Sequence, residues 1–180
     1  SVRCALSPTL GVDGLVPVLA GLTGCGAASN LFLTLALVLW CLGPGAIHRA
    51  LYGRTGISPL FGAFFAYNAN FIWGFFNYYF AAGLSFAIFA GWIATENRNG
   101  AARLAGFALA VTALYFCHIF AAASLLLMLV GFEVAQNIRH DNSDWMALAR
   151  RPLRVALLYV PAALAFVRLR PVSSEDGGPD

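Results

Sequence analysis

The sequence predicts an all-α membrane protein with three to four transmembrane helices plus one re-entrant or interfacial segment, and three observations carry that reading. The first is composition: 60% of the 180 residues are hydrophobic and 11% are charged, where soluble domains run at roughly 45–50% apolar and about 25% charged. The second is where the charges fall. Residues 14–48, 55–95 and 104–132 contain no Asp, Glu, Arg or Lys, giving uncharged runs of 35, 41 and 29 residues, each longer than the ~20 residues that cross a ~30 Å hydrocarbon layer. The third is sign: the 11 basic residues are all Arg and cluster between the apolar runs, as the positive-inside rule requires of cytoplasmic loops. The net charge of +3 is therefore a topology signal and implies no nucleic-acid partner.

The chain reads as a single transmembrane helical domain over residues 1–170, followed by a disordered tail, PVSSEDGGPD. Ser1-Val2-Arg3-Cys4 lacks the charged region, compact apolar stretch and small-residue cleavage site of a signal peptide, so insertion is expected to rely on the spans themselves. The first span is placed at 27–47, because Gly11, Gly14, Pro17, Gly21, Gly24 and Gly26 interrupt the segment before it, leaving 5–26 as a loop or surface-lying segment. Gly43, Pro44 and Gly45 are expected to end that span.

The run 55–95 would be about 60 Å long as one helix, roughly twice the hydrocarbon thickness, and must fold back, lie down or break. One full crossing over 71–95, preceded by a re-entrant or interfacial stretch over 58–70, puts Arg49, Arg54, Arg139, Arg150, Arg151 and Arg154 on one face against Arg98 and Arg103 on the other. Two crossings would leave the Arg residues evenly divided, so the positive-inside rule favours one. The next span is 103–132. A short fourth, 153–169, either spans with Arg154 and Arg168 snorkelling, lies at the surface, or is truncated.

Glu96-Asn97-Arg98-Asn99-Gly100 is short enough to make the flanking helices antiparallel neighbours. Gly83, Ala87 and Gly91 on one, and Ala102, Gly106 and Ala110 on the other, recur every four residues. Small residues at that spacing let backbones approach in lipid, so these six are the candidate helix-packing surface.

Tyr67, Asn70, Gly74 and Asn77 are spaced three, four and three, and fall on one helical stripe. Asn is costly against lipid, so the stripe faces protein, water or ligand. It either carries interhelical hydrogen bonds, with Trp73, Tyr78 and Tyr79 as interfacial anchors, or forms a groove for a polar headgroup. His118 falls mid-span, and an intramembrane ionisable residue marks a candidate site; it binds either a pigment or only a neighbouring helix. Bis-His haem would need a second His at matching depth, which neither His48 at a membrane edge nor His140 in a loop supplies. No His, Cys or carboxylate cluster suggests a metal site, and no cofactor is implied. Cys41 and Cys117 sit in apolar runs, which leaves Cys4 and Cys25 as the only pair that could bridge. Asp13 is the only carboxylate in the first 95 residues; on the favoured topology it shares the outer face with Glu96, Arg98 and Arg103. A base at Asp13 with phosphate contacts from Arg98 or Arg103 would suit a transferase acting on a lipid phosphate.

The stretch AYNANFIWGFFNYYFAAGLSFAIFAGW, followed about twenty residues later by LYFCHIFAAASLLLMLVGFE, resembles the middle of large bacterial multi-pass membrane proteins that are themselves similar to the GT-C class of lipid-phosphate-dependent glycosyltransferases. The likeness covers about residues 10–165 and rests on aromatic, Gly and Asn positions with one His. It implies inverting glycosyl transfer at the outer face, from a polyprenyl-phosphate sugar, with an acidic residue in the first extracytoplasmic loop. Asp13 is the position that matches, although the helix that precedes that loop in the family has no counterpart before it. Two functional expectations follow: a scaffold or accessory subunit of a larger membrane assembly, or the membrane portion of a GT-C-like lipid-linked sugar transferase or lipid-handling protein. Either is expected in a bacterial inner (cytoplasmic) membrane, with membrane lipids and other membrane protein subunits as partners.

Overall fold

The computed structural model describes residues 10–98, 100–139 and 145–169. Among these the chain is helical without strands: α1 Leu10–Thr23, α2 Cys25–Tyr52, α3 Ser58–Ala66, α4 Ala69–Ile72, α5 Phe76–Ala94, α6 Ala101–Cys117, α7 Ile119–Arg139, α8 Trp145–Leu158 and α9 Val160–Leu169. Three of these, α2, α5 and α7, are long and apolar enough to cross a membrane. The expected tail over 171–180 and the loop residues 140–144, with Asp141 and Asp144, lie outside the described residues, as does Cys4; Cys25 is a free thiol.

The three long helices run in the same direction. Leu39 of α2 meets Gly83 of α5, and Gly43 meets Phe86. Tyr78 of α5 then lies against His118 at the start of α7, while Phe89 lies against Phe132 and Trp92 against Glu133. Pairings that advance together along both chains define parallel helices, so shorter segments must carry the chain back. Between α2 and α5 that return is α3 and α4. Between α5 and α7 it is α6, where Arg103 pairs with Thr95 and Phe107 with Trp92, an order that runs opposite to α5. α8 and α9 form a further descending segment, with Tyr159 Oη donating to the Ala122 carbonyl at 2.8 Å and Phe166 meeting Tyr115.

Four expectations need correction. Residues 10–23, expected as a loop or surface-lying segment, form α1, which packs Val12, Leu15 and Val16 on Phe32 and Phe80; Pro17 is seven residues in, yet tertiary packing outweighs the propensity of the interspersed Gly residues. Gly43-Pro44-Gly45 does not end α2, which continues to Tyr52 and stops at Gly53, whose left-handed backbone (φ 70) lets its N–H bond the Arg49 carbonyl at 2.8 Å. The span expected over 103–132 is two helices: His118 adopts an extended backbone (φ −166, ψ 122) and α7 folds back beside α6. His118 itself keeps both backbone hydrogen bonds at the break: its N–H donates to the Leu114 carbonyl at 2.8 Å and its own carbonyl accepts from Ala122 at 3.2 Å. Lastly, the Tyr67–Asn77 stripe is not on one helix, because residues 73–75 separate α4 from α5 and Gly74 sits at φ 77.

The close helix contacts centre on α2. A Cβ on Gly83 would meet Leu39 Cβ at 2.8 Å, one on Gly43 would meet Phe86 Cβ at 2.7 Å, and one on Gly45 would meet the Pro59 ring at 2.7 Å. Gly62 of α3 lies directly on the backbone of α2 at Trp40 and Cys41. Pro44 explains why α3 approaches there: it has no N–H to give to the Trp40 carbonyl four residues earlier, leaving that carbonyl open to the Gly62 backbone. The expected pairing of small residues between α5 and α6 is therefore only partly realised. Gly91 faces Phe107 and Gly83 faces α2, whereas Ala87, Ala102 and Gly106 are exposed and Ala110 is half-buried.

Tyr79 ties α2, α3 and α5 together. Fully buried, it stacks on Trp40 at 4.9 Å between ring centres, accepts the Trp40 indole N–H on its carbonyl at 2.8 Å, and donates its hydroxyl to the Ala66 carbonyl at 2.8 Å. It is a core residue and not an interfacial anchor, unlike Trp73, which is exposed.

Candidate functional site

The parallel arrangement gives the molecule two chemically different ends. Gly43 is level with Phe86, so Arg49 and Arg54 fall level with the end of α5, beside the turn that carries Arg98 and the start of α6 that carries Arg103. Glu133 near the end of α7 reaches the same level through Trp92, which places Arg139 there, and Arg154 shares a cavity with Arg103. Arg150 and Arg151 lie within one turn of Arg154 on α8. Eight of the nine described Arg residues thus share one end with Glu96 and Glu133, and Arg168 near the end of α9 sits toward the other. Arg98 and Arg103 stand beside Arg49, Arg54, Arg139 and Arg154, so the division expected from the sequence does not hold. It has two causes: α3 and α4 carry the chain back beside α2 before α5 begins, where a single crossing over 55–95 was expected, and the return at His118 adds a further reversal.

A polar network is built into the basic end. Trp92 Nε1 donates to Glu133 Oε1 at 2.8 Å, and Glu133 is 8% exposed. The Arg103 guanidinium lies 3.8 Å from the centre of the Trp92 ring. Its Nε donates to Thr95 Oγ1 at 3.0 Å and its Nη2 to the Trp92 carbonyl at 2.9 Å. Gln136 Nε2 donates to Glu96 Oε2 at 3.2 Å. A buried carboxylate is stable only when paired and hydrogen-bonded, and Arg103 close by supplies the opposite charge. Nothing in the spacing of Trp92, Glu133 and Gln136 announced this cluster; the one signal was a carboxylate at the edge of an apolar run.

The opposite end holds the second candidate site. A cavity of about 350 Å³ is lined by Val12, Asp13, Gly74, Phe75, Phe76, Asn77, Tyr78 and His118. Asn77 Oδ1 accepts the backbone N–H of Val12, capping the first turn of α1 from another element, since those N–H groups have no partner within their own helix. That bond fixes α1 so that Asp13, one residue on, opens into the cavity. The ring of His118 packs edge-on against Tyr78 at 5.1 Å, and its Nδ1 is buried with no hydrogen-bond partner among the described residues. The irregular backbone at 73–75 and at 118, which helix periodicity could not foresee, shapes this cavity.

Of the residues singled out from the sequence, the structure brings Asp13, Gly74, Asn77 and His118 together. Tyr67 is 68% exposed and packs edge-on against Phe71, and Asn70 accepts the Phe75 N–H on its backbone carbonyl at 2.9 Å; neither lines the cavity. Arg98 and Arg103 line a separate cavity at the basic end. From His118 to Glu133 is fifteen residues of helix, about 22 Å, so Asp13 and the two Arg residues do not serve one site. No group of three or more metal-ligating side chains occurs among the described residues. No family model, curated protein or solved structure matches the chain.

Proposed function

We propose that the chain is a multi-pass protein of a bacterial inner membrane that holds the polar group of a lipid-linked substrate at its extracytoplasmic end. The observation that carries this reading is the cavity of Asp13, Asn77, Tyr78 and His118 at the end away from the Arg cluster. The positive-inside rule assigns the end with eight Arg to the cytoplasm, which puts the cavity at the outer interface. α3 and α4 then carry the chain from the cytoplasmic side back to the outer end beside α2, in two short helices. A carboxylate, a carboxamide and an imidazole converging where apolar side chains surround them have the donors and acceptors that a sugar or phosphate headgroup requires. Asp13, Tyr78 and His118 are the groups there able to move a proton, as acid–base transfer needs. The resemblance to GT-C transferases supports the same placement of the acidic residue, although here it sits on a helix and not on a loop.

The test is lipid content and transfer together. Wild-type protein, Asp13→Asn and His118→Leu are purified in mild detergent and compared by native mass spectrometry, then assayed with a polyprenyl-phosphate sugar donor. The reading expects wild type to retain a specific lipid-linked species, His118→Leu to lose it, and Asp13→Asn to retain it without transfer. A wild type that retains none, or variants indistinguishable from it, contradicts the proposal.

A second reading, an accessory subunit, is favoured by the aromatic face of α3 and α4. Phe61, Phe64, Phe65 and Trp73 are all more than half exposed, and they would suit a neighbouring membrane subunit as well as lipid. Co-purification of a stoichiometric partner that Phe64→Ala and Trp73→Ala release would establish it.

A further inference from the structure

The basic end carries a second cavity, of about 580 Å³, lined by Ile88, Thr95, Arg98, Gly100, Ala102, Arg103, Gly106, Phe107 and Ala110. Its lining is graded along its length. Arg98, Thr95, Gly100 and Arg103 form the end nearest the α5–α6 turn, and Phe107, Ile88 and Ala110 form the end that lies deeper in the bundle. From Ala102 to Ala110 the groove follows two turns of α6, about 12 Å. It is open because the small residues of α6 do not meet α5: a Cβ on Gly106 would find nothing within 4 Å.

The two guanidinium groups play different parts. Arg103 is held in place by Thr95, the Trp92 carbonyl and the Trp92 ring, whereas Arg98 is exposed. A smaller neighbouring cavity shares Gly100 and Arg103 and adds Arg154. The local acids, Glu96 and Glu133, are engaged inside the bundle by Gln136 and Trp92. Both acids also face Arg103, but Arg98, Arg103 and Arg154 set three cations against two carboxylates, so the mouth keeps a net positive charge above an apolar floor.

We infer that this groove binds one anionic glycerophospholipid of the inner leaflet, its phosphate at Arg98 and Arg103 and one acyl chain laid along Gly106, Phe107 and Ala110. Charge complementarity selects the occupant: basic clefts between helices on the cytoplasmic side attract anionic headgroups, and a planar guanidinium grips phosphate oxygens in pairs. A zwitterionic lipid would satisfy the floor but not the mouth, and a soluble phosphate the mouth but not the floor. The site stands about 22 Å of helix from the Asp13 cavity and is independent of what that cavity holds.

The experiment titrates the full chain in mild detergent with phosphatidylglycerol, phosphatidylcholine and soluble glycerol phosphate, read by native mass spectrometry. Phosphatidylglycerol is expected to bind about tenfold more tightly than phosphatidylcholine, equivalent to one to two recovered charge contacts, and glycerol phosphate not to bind at the same concentrations. Arg98→Gln, an exposed change with no packing role, should remove most of that preference, and Gly106→Leu should fill the groove and abolish retention of either lipid. Arg168→Gln, at the other end, should leave both affinities unchanged. Equal affinity for the two lipids, a full preference in Arg98→Gln, or an equal loss in Arg168→Gln would overturn the inference.

Discussion

Single residues in this protein do most of their work through hydrogen bonds that a helix cannot supply to itself. Trp92 illustrates this, since its indole N–H is given to Glu133 while its ring receives the Arg103 guanidinium. Trp92→Phe keeps the ring and removes the donor, leaving a buried carboxylate short of one bond. Such bonds to charged groups contribute about 1.5–3 kcal/mol in soluble proteins and average about 0.6 kcal/mol between membrane helices. We therefore expect Trp92→Phe to destabilise the chain by about 1–2 kcal/mol, read by thermal or denaturant unfolding in detergent. Glu133→Gln retains an acceptor for the indole and loses the charge beside Arg103; it should cost less than Glu133→Leu, which strands both partners. Equal costs for Gln and Leu would show that the network is not held by hydrogen bonding.

Helix against helix, small residues decide how closely backbones pass, and the two faces that carry them differ. Gly83→Leu drives a side chain into Leu39 and Trp40, and Gly62→Val drives one into the α2 backbone; both should abolish recovery of folded protein. Gly106→Leu enters open space and should leave the unfolding temperature within about 2 °C of wild type, the shift expected of a surface change of about 0.5 kcal/mol in a chain this long. If Gly83→Leu and Gly106→Leu were tolerated equally, α2 and α5 would not be packed as the structure places them.

The sequence made some elements legible at this scale and hid others, for physical reasons. Uncharged length located α2 and α5, and the run in which α7 begins, because the cost of a charge in hydrocarbon acts on composition directly. It also showed that 55–95 had to fold back, lie down or break, but the single crossing favoured by the Arg distribution hid the return of α3 and α4 beside α2. The same arithmetic applied to 103–132, thirty residues or about 45 Å, would have exposed the return at His118. That break has no local signature in the sequence because no Gly, Pro or charge marks it. At the candidate site, Asp13 and His118 were legible as polar groups in apolar surroundings. Their meeting was not, since it depends on the break at Gly74, the cap from Asn77 to α1 and the turn at 118, none of which has a periodic signature. Tyr67 and Asn70 were included on helical spacing that stops at residue 72.

Across the whole molecule, the three long helices run the same way, so that residues 49–54, 96–98 with 100–103, and Arg139 with 145–154 share one face and the Asp13 cavity lies at the other. Replacing Cys4, Cys25, Cys41 and Cys117 and restoring single cysteines at Thr55, Asn97 and Thr23 makes this directly measurable with a membrane-impermeant thiol reagent on intact cells. Thr23 lies at the exposed tip where α1 turns into α2, and Thr55 and Asn97 lie in the exposed turns after α2 and α5. Labelling is expected at Thr23→Cys alone, with Thr55→Cys and Asn97→Cys reacting only after the cells are broken. Labelling of Asn97→Cys from outside while Thr55→Cys stays protected would place the two turns on opposite faces and contradict the parallel arrangement.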